Sequence, residues 1–210
     1  MALALNINMQ GGYTLGLWKM DESVSELLNL VSLTPAEAEL YQKFKAEHRQ
    51  KEWLSVRAVL SSILDSYSEI SYTENGKPTL LNSKKKISIA HTKGLAVVII
   101  SDVFEVGVDV EYLSDRIFRI EHKFIGEKER LSLVEGERLY HLYLHWCAKE
   151  SIVKATGNRK LDFINELFVH PFIPESEGQF RAELNSPDES CGYVMNYLKY
   201  EDYIIVWTCQ

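Results

Sequence analysis

Two short stretches of the chain carry acidic side chains whose spacing suits a divalent cation. Asp109 and Glu111 alternate with Val108 and Val110, and a period of two predicts a strand that sends both carboxylates out of one face. At the rise of a strand, the two carboxylates lie about 6.6 Å apart. Glu150, on a later predicted helix, adds a third oxygen donor. Such a set is what a hard cation and a phosphorylated ligand require.

The second stretch, residues 146–154, has the periodicity of a helix. Trp146, Glu150 and Lys154 recur at four-residue spacing and share one face, with Lys149 beside it. A carboxylate held against an aromatic side chain needs a cation or a metal to offset its desolvation. Two interpretations stay open: Glu150 holds a metal, or it forms a simple i,i+4 ion pair with Lys154.

The elements that position these residues follow from periodicity and capping signals. Thr34, Pro35 and Glu37 form a capping-box pattern, which predicts a helix that runs towards His48. A second helix is predicted over 50–64, with Arg57 on its apolar stripe. The remaining predicted strands are residues 12–18, 87–91, 95–101, 105–112, 163–170, 179–184, 193–198 and 203–208, and the remaining helices are residues 127–134 and 137–156.

This order, helices followed by strands, occurs twice, and each half holds roughly a hundred residues. We therefore predict an α+β fold of two related lobes, 1–104 and 105–210. No low-complexity linker separates them, so we expect the lobes to pack closely and to form a cleft.

Composition narrows the function classes. The net charge of -7 argues against a nucleic-acid binder, because phosphate contacts need a surplus of Lys and Arg. Three cysteines match neither a zinc site nor a disulfide framework, so reduced thiols are expected. Residues 1–6 lack the basic region and apolar core that are typical of a secretory leader, and no apolar run reaches membrane-spanning length, so we expect neither feature. We expect a cytoplasmic protein that does not bind a membrane.

Three further residues are candidates for ligand contacts, each with an ordinary structural explanation. Arg57 lies on an apolar helix stripe, where its stem is buried and its head reaches the rim. Lys77 follows Gly76 in a turn, and His91 ends an apolar strand, where a histidine is more often structural than ligand-binding.

Read together and in order, these residues resemble the surfactin-type 4'-phosphopantetheinyl transferases, which move the phosphopantetheine arm of coenzyme A to a serine of an acyl or peptidyl carrier protein. Three motifs carry the resemblance: the Gly-Lys-Pro turn at 76–78, the strand from Gly107 to Glu111, and Trp-x-x-Lys-Glu-x-x-x-Lys over 146–154. A fourth motif, usually Ile-Ser-His-Ser, is present as Ile-Ala-His-Thr at 89–92.

The resemblance implies a monomer with two lobes related by pseudo-twofold symmetry. It also implies that Asp109, Glu111 and Glu150 hold Mg²⁺ on the pyrophosphate of coenzyme A. Lys154 then faces the phosphates and stabilises charge on the departing adenosine 3',5'-bisphosphate. Glu150, directly or through a water, is the candidate base that takes the proton of the carrier serine.

The same resemblance assigns the cofactor-binding residues. Arg57 and His91 are implied at the 3'-phosphate end of the nucleotide, and Lys77 approaches the nucleotide from its turn. Lys149 is placed with this cofactor-binding set. Carrier proteins of this kind are acidic around the modified serine, so a basic surface is expected, and the segment after the metal strand supplies Arg116, Arg119, His122 and Lys123.

Alternative functions remain open from the sequence. Ala90 replaces the usual serine before His91, which favours a non-catalytic coenzyme A or nucleotide binder derived from the same fold. A different Mg²⁺-dependent enzyme that acts on a diphosphate, such as a hydrolase, uses similar residues. A purely structural α+β protein requires all four motifs to coincide by accident.

Overall fold

The computed structural model of the chain describes residues 3–9, 12–64 and 66–210, with the backbone alone over residues 3–9. The chain divides into two compact units, Met1–Phe104 and Glu105–Gln210. Each unit combines helices with an antiparallel sheet. The fold is therefore α+β, as the sequence predicts.

The N-terminal unit contains a four-stranded antiparallel sheet. Its strands are β1 (Leu3–Met9), β2 (Tyr13–Lys19), β5 (Lys86–Thr92) and β6 (Leu95–Ser101), and a separate hairpin joins β3 (Ile70–Tyr72) to β4 (Pro78–Leu80). The order in the sheet is β1-β2-β6-β5. Strand β6 is buried along its whole length and apolar up to Ser101 at its end, which explains its central place.

Three helices complete this unit: α1 (Val24–Leu30), α2 (Pro35–Tyr41) and α3 (Glu47–Ile63). Helix α3 packs on β2 and β6. At Gly16 of β2, a Cβ atom would lie only 2.7 Å from the Cγ1 atom of Val59 on α3. The missing side chain at Gly16 therefore lets the helix approach the strand.

The C-terminal unit contains a five-stranded antiparallel sheet. Its strands are β7 (Val106–Tyr112), β8 (Leu167–Val169), β9 (Glu177–Asn185), β10 (Ser190–Tyr200) and β11 (Tyr203–Cys209). Their order is β7-β11-β10-β9-β8, which leaves β7 at one edge. In the β7/β11 pair, Asp109 lies opposite Val206.

Two helices belong to this unit, α4 (Glu127–Ser132) and α5 (Arg138–Thr156), together with short 3-10 helices at Asp115–Arg119, Glu121–Lys123 and Glu135–Glu137. Helix α5 packs on β7 and β11. It ends at Gly157, whose φ of 72° is the left-handed conformation that favours glycine. Nowhere in 3–9, 12–64 or 66–210 does a helix have the length and apolar character to cross a membrane.

Most elements agree with the sequence, and the differences have local causes. The capping box at Thr34 and Glu37 is formed, but α2 ends at Tyr41, and the turn that follows brings Phe44 against the ring of Trp53. The strand predicted over 163–170 is shorter, since the Asp162 carboxylate accepts the backbone N–H groups of two following residues and makes a turn.

Two elements near the N-terminus, β1 and α1, were not predicted. The start of α1 nevertheless carries a local signal, because Ser23 and Glu26 form a capping box there. Strand β7 follows β6 along the chain but pairs with β11. Pairing partners depend on long-range contacts, which periodicity does not report.

Candidate active site

Strand β7 and helix α5 meet backbone to backbone at Gly107. A Cβ atom on Gly107 would lie 1.9 Å from the carbonyl oxygen of Ser151, so no larger residue fits without moving the helix. The Ser151 hydroxyl also donates to the Val206 carbonyl oxygen at 2.9 Å. Because side chains alternate along a strand, Asp109 and Glu111 share the face of Gly107, towards α5.

Lys154 reaches from α5 back to β7. Its Nζ atom donates to Asp109 Oδ1 at 2.7 Å and to the Val108 carbonyl oxygen at 3.0 Å. The i,i+4 ion pair with Glu150, one of the two interpretations from the sequence, is therefore not the one that forms. The close approach at Gly107 brings Asp109 within reach of the ammonium group, and Lys154 joins helix to strand.

The acidic side chains lie close enough to perturb one another. Burial, and then the nearby Asp109 carboxylate, raise the pKa of Glu150 to about 7. Burial and Asp109 also raise the pKa of Glu111, whereas Arg116 and a hydrogen bond from Trp146 act in the opposite direction. The three carboxylates therefore repel one another in a partly desolvated place, which a cation would relieve.

The donor set fits Mg²⁺ in its chemistry. Asp109 Oδ2 is buried without a hydrogen-bond partner, and all three side chains offer the oxygen ligands that this ion prefers. Yet within the described residues no group of three or more His, Cys, Asp or Glu side chains is arranged as a metal site. Lys154 lies on Asp109, and Arg116 donates to Glu111 Oε2 at 2.8 Å.

Lys149 occupies a different place from the one expected. Its side chain is 0% exposed, and its Nζ atom donates to the carbonyl oxygens of Phe124 and Phe163 at 2.6 and 2.7 Å. The third bond goes to Glu129 Oε2 at 2.8 Å. An ammonium group has three hydrogens, so none is left for a cofactor. The expectation that Lys149 contacts the cofactor does not fit this arrangement.

Glu129 connects this lysine to the rest of the unit. Its Oε2 atom also accepts from the backbone N–H of Gly126 at 2.9 Å, and its Oε1 atom accepts from Val169 N–H at 2.9 Å. His145 Nδ1 lies 3.5 Å from Oε1. One buried carboxylate thereby joins the start of α4, strand β8 and helix α5.

In the N-terminal unit, Arg57 is also buried and paired. Its side chain is 1% exposed, and its Nε–H donates to Glu37 Oε1 at 2.9 Å. The guanidinium carbon lies 3.1 Å from the centre of the Trp53 ring. Tyr67 donates its hydroxyl to the same Glu37 oxygen at 2.5 Å. Arg57 therefore has a structural role whatever else it contacts.

Arg57 and His91 line one small cavity of about 100 Å³, together with Trp53, Tyr72 and four further residues, Arg49, Glu52, Val56 and Ile89. His91 Nδ1 lies 3.7 Å from the Glu52 carboxylate. Lys77 lies on the turn after Gly76 and does not line this cavity. The structure thus brings two of the three predicted nucleotide-binding residues together.

Glu129 was missed by the sequence analysis, and Glu37 was assigned only a capping role. Both are the third residue of a short helix, and both accept the backbone N–H of the N-cap residue, Thr34 for Glu37 and Gly126 for Glu129. For Glu129 the signal was the spacing from Gly126, three residues earlier. The position of a glutamate at the start of a helix predicts that it accepts a backbone N–H of that helix. It does not predict which cation of another helix the glutamate pairs with.

A known protein family matches the C-terminal unit of the chain. Residues 105–208, which include β7, α5 and all four residues Asp109, Glu111, Glu150 and Lys154, match the family described as the 4'-phosphopantetheinyl transferase superfamily. The match covers the C-terminal unit, just under half of the chain.

Similar proteins carry the same activity in their names. The chain is 27% identical over 141 residues to 4'-phosphopantetheinyl transferase AcpT of Escherichia coli (strain K12), which covers 62% of this chain and 70% of the relative. It is 26% identical over 161 residues to 4'-phosphopantetheinyl transferase HetI of Nostoc sp., with 68% of each chain covered. AcpT of Salmonella typhi is 29% identical over 120 residues, 52% of this chain and 60% of the relative.

The family match and these relatives support an enzyme, a 4'-phosphopantetheinyl transferase. The family implies coenzyme A as a substrate and a carrier protein as a partner. Arg57, Lys77 and His91 lie outside the matched residues 105–208.

Proposed function

We propose that the chain is a surfactin-type enzyme, which transfers the 4'-phosphopantetheine arm of coenzyme A to a serine of an apo acyl or peptidyl carrier protein and depends on Mg²⁺. The observation that carries the proposal is the meeting of β7 and α5 at Gly107. It directs Asp109 and Glu111 towards the helix that bears Glu150 and Lys154. This combination serves a diphosphate substrate better than it serves a structural role.

Asp109, Glu111 and Glu150 are the residues that would hold Mg²⁺. When bound, the ion neutralises the pyrophosphate of coenzyme A and polarises the phosphorus that is attacked. The desolvated Asp109 oxygen without a partner and the mutual repulsion of the carboxylates support this assignment.

The chain's own residues then carry the proton and the charge. Glu150 takes the proton of the carrier serine as the serine oxygen forms its bond to the phosphorus next to the pantetheine arm. The bond from that phosphorus to the bridging oxygen breaks, and its electron pair leaves with adenosine 3',5'-bisphosphate. Lys154 offsets the charge on this leaving group. The Cys147 thiol, whose pKa burial raises, plays no part as a nucleophile.

We assign the nucleotide end of coenzyme A to His91, Lys77 and Arg57. The cavity shared by Arg57 and His91 supports this assignment, and the Trp53 ring beside the guanidinium keeps that cavity wall in place. Arg57 is paired with Glu37, so its contribution includes shaping the cavity.

The carrier protein is assigned to the segment that follows β7. Arg119, His122 and Lys123 are exposed there, and a basic surface suits an acidic partner. Arg116 is engaged by Glu111. We further propose that the enzyme acts in the cytoplasm, because the substrates and the reduced thiols suit that compartment. The resemblance to the surfactin-type enzymes also leads us to propose a monomer.

One assay tests the function. The protein is incubated with coenzyme A, Mg²⁺ and several unrelated apo carrier proteins, and mass spectrometry follows addition of the arm to the carrier. Asp109→Ala and Glu150→Gln should abolish addition, whereas Glu127→Gln, an exposed acid on α4, should leave it intact. No addition with any carrier rejects the transferase, and full activity in both site variants rejects the site.

A further inference from the structure

We infer that Lys149 is a positioning residue, which with Glu129 fixes the carrier-binding segment 113–126 against helix α5. The segment's role in carrier binding rests on the proposed function. The attachment of the segment to α5 rests on the buried contacts of Lys149. Carrier binding and attachment are tested by separate measurements.

The segment is attached to α5 at two points. Near its start, the Tyr143 hydroxyl donates to the Ser114 carbonyl oxygen at 3.1 Å. Near its end, Lys149 Nζ donates to the Phe124 carbonyl oxygen at 2.6 Å. Tyr143 and Lys149 both belong to α5. The helix that carries Glu150 therefore also sets the path of the segment.

The residues between these two attachments divide by burial. Ile117 and Phe124 are in the core of the unit, whereas Arg119, His122 and Lys123 are exposed. The buried side chains orient the segment, and the two hydrogen-bonded attachments limit its sliding along α5. The exposed basic side chains are thus presented at a set distance from Glu150.

Lys149 does more than attach one carbonyl group. Its bond to the Phe163 carbonyl oxygen holds the loop after α5, and its ion pair with Glu129 connects to Gly126 and Val169 through their backbone N–H groups. Every partner is internal to the unit, and the side chain is 0% exposed. A buried pair with all its polar atoms satisfied orders the backbone around it.

The N-terminal unit contains the same arrangement. Glu37 accepts the N–H of the N-cap residue of α2 and pairs with Arg57 of α3, as Glu129 does for α4 and Lys149 of α5. In both pairs the acid precedes the cation by twenty residues. In α2 and in α4, therefore, the capping glutamate also joins the short helix to the long helix of its unit.

The test compares Lys149→Met/Glu129→Gln with Lys128→Met/Glu127→Gln, a control that removes one lysine and one glutamate from the exposed side of α4. Replacing both buried partners avoids leaving one charge unpaired. Backbone amides of 113–126 should exchange hydrogen about tenfold faster or more in the first variant and be unchanged in the control. Exchange equal to that of the wild type would overturn the positioning role.

Steady-state kinetics separates positioning from cofactor contact. The KM for the carrier should rise about fivefold or more in Lys149→Met/Glu129→Gln, while the KM for coenzyme A stays within about twofold of the wild-type value. A raised KM for coenzyme A with an unchanged carrier KM would overturn the inference in favour of direct cofactor contact. If the wild type transfers nothing, the proposed function fails, and hydrogen exchange still decides the positioning.

The wild type provides a check that needs no variant. The amides of Gly126 and Val169, which donate to Glu129, should be among the slowly exchanging amides of the C-terminal unit. Rapid exchange of both would reject the inference even if the double variant did not fold.

Discussion

Glu129 and Lys149 form a buried ion pair, with 2.8 Å between Oε2 and Nζ and twenty residues between them in the chain. Glu37 and Arg57 repeat this relationship at 2.9 Å and with the same separation. In each unit a short capped helix is joined to the long helix that packs on the sheet. The two units thus share the same arrangement of a capping glutamate and a cation on the long helix.

Breaking the C-terminal pair should cost more than removing it. Lys149→Met leaves the Glu129 carboxylate buried without its cation, and we expect a loss of about 3–5 kcal/mol in the free energy of unfolding. Lys149→Met/Glu129→Gln should recover part of that loss. Urea denaturation measures the free energy of unfolding of Lys149→Met, Glu129→Gln and the double variant. If the loss in the double variant equals the sum of the losses in the two single variants, the two side chains do not interact.

Gly107→Ala should displace helix α5. The added methyl group would lie 1.9 Å from the Ser151 carbonyl oxygen, so we expect a loss of about 2 kcal/mol or more in stability together with a strong loss of transfer. Gly192→Ala is the control, because a Cβ atom there meets nothing within 4 Å. Equal effects of the two substitutions on urea stability and transfer would contradict this account of the strand–helix contact.

Magnesium should stabilise the wild type through the three carboxylates. Binding to the folded state alone adds about 2.7 kcal/mol at a hundredfold excess of ligand over Kd. We expect the thermal shift on adding Mg²⁺ to fall sharply in Asp109→Ala and Glu150→Gln and to persist in Glu127→Gln. EDTA should abolish transfer, and added Mg²⁺ should restore it. A full shift in Asp109→Ala would remove that residue from the ion's ligands.

Charge reversal on the segment after β7 should weaken carrier recognition alone. For Arg119→Glu/Lys123→Glu we expect kcat/KM for the carrier to fall about tenfold at low salt and the KM for coenzyme A to stay constant, because a basic rim mainly steers the encounter. The matched control is Lys43→Glu/Lys84→Glu, which reverses two exposed charges in the N-terminal unit. Carrier kinetics equal to those of the wild type would dismiss the basic surface.

Acid should destabilise the protein through its buried imidazoles. Burial, and then neighbouring His145, lower the pKa of His141 from 6.5 to about 4. Between these two values the unfolded chain binds the proton and the folded chain does not, so stability falls as the pH falls through that window. Across the whole window, the free energy of unfolding should fall by about 3 kcal/mol.

The surroundings of these imidazoles define the variant that tests the effect. His141 Nδ1 accepts the backbone N–H of Val134, and the charged groups beside His145 are Glu129 and Lys149. His141→Asn keeps an acceptor and removes the titrating group, so its urea stability should vary less between pH 6.5 and 4. An unchanged pH dependence would assign the effect to other groups.

Local patterns anticipated much of the fold because each depends on near neighbours. The capping box at Thr34, the apolar run of β6 and the glycine that ends α5 are examples that the structure confirms. The alternation around Asp109 likewise predicted which strand face bears the two acids. These features depend on backbone geometry over a few neighbouring residues, and the types and spacing of those residues predict that geometry.

Partners were harder to predict than positions. Lys149 and Lys154 are both lysines on one helix, yet one is enclosed by carbonyl groups and Glu129, and the other reaches Asp109. No spacing rule distinguishes them, because the difference lies in which loops cover each side of α5. Glu129 was missed for the same reason.

The sequence alone determined the composition of the site, the strand and helix that bear it, and the family that its motifs resemble. Tertiary structure decided which charges pair and which are enclosed. The physical reason is that a side chain's type and face follow from local periodicity, whereas its desolvation and its ion-pair partner depend on chain segments brought together by folding. At Gly107 the absence of a side chain has meaning only because α5 lies against it.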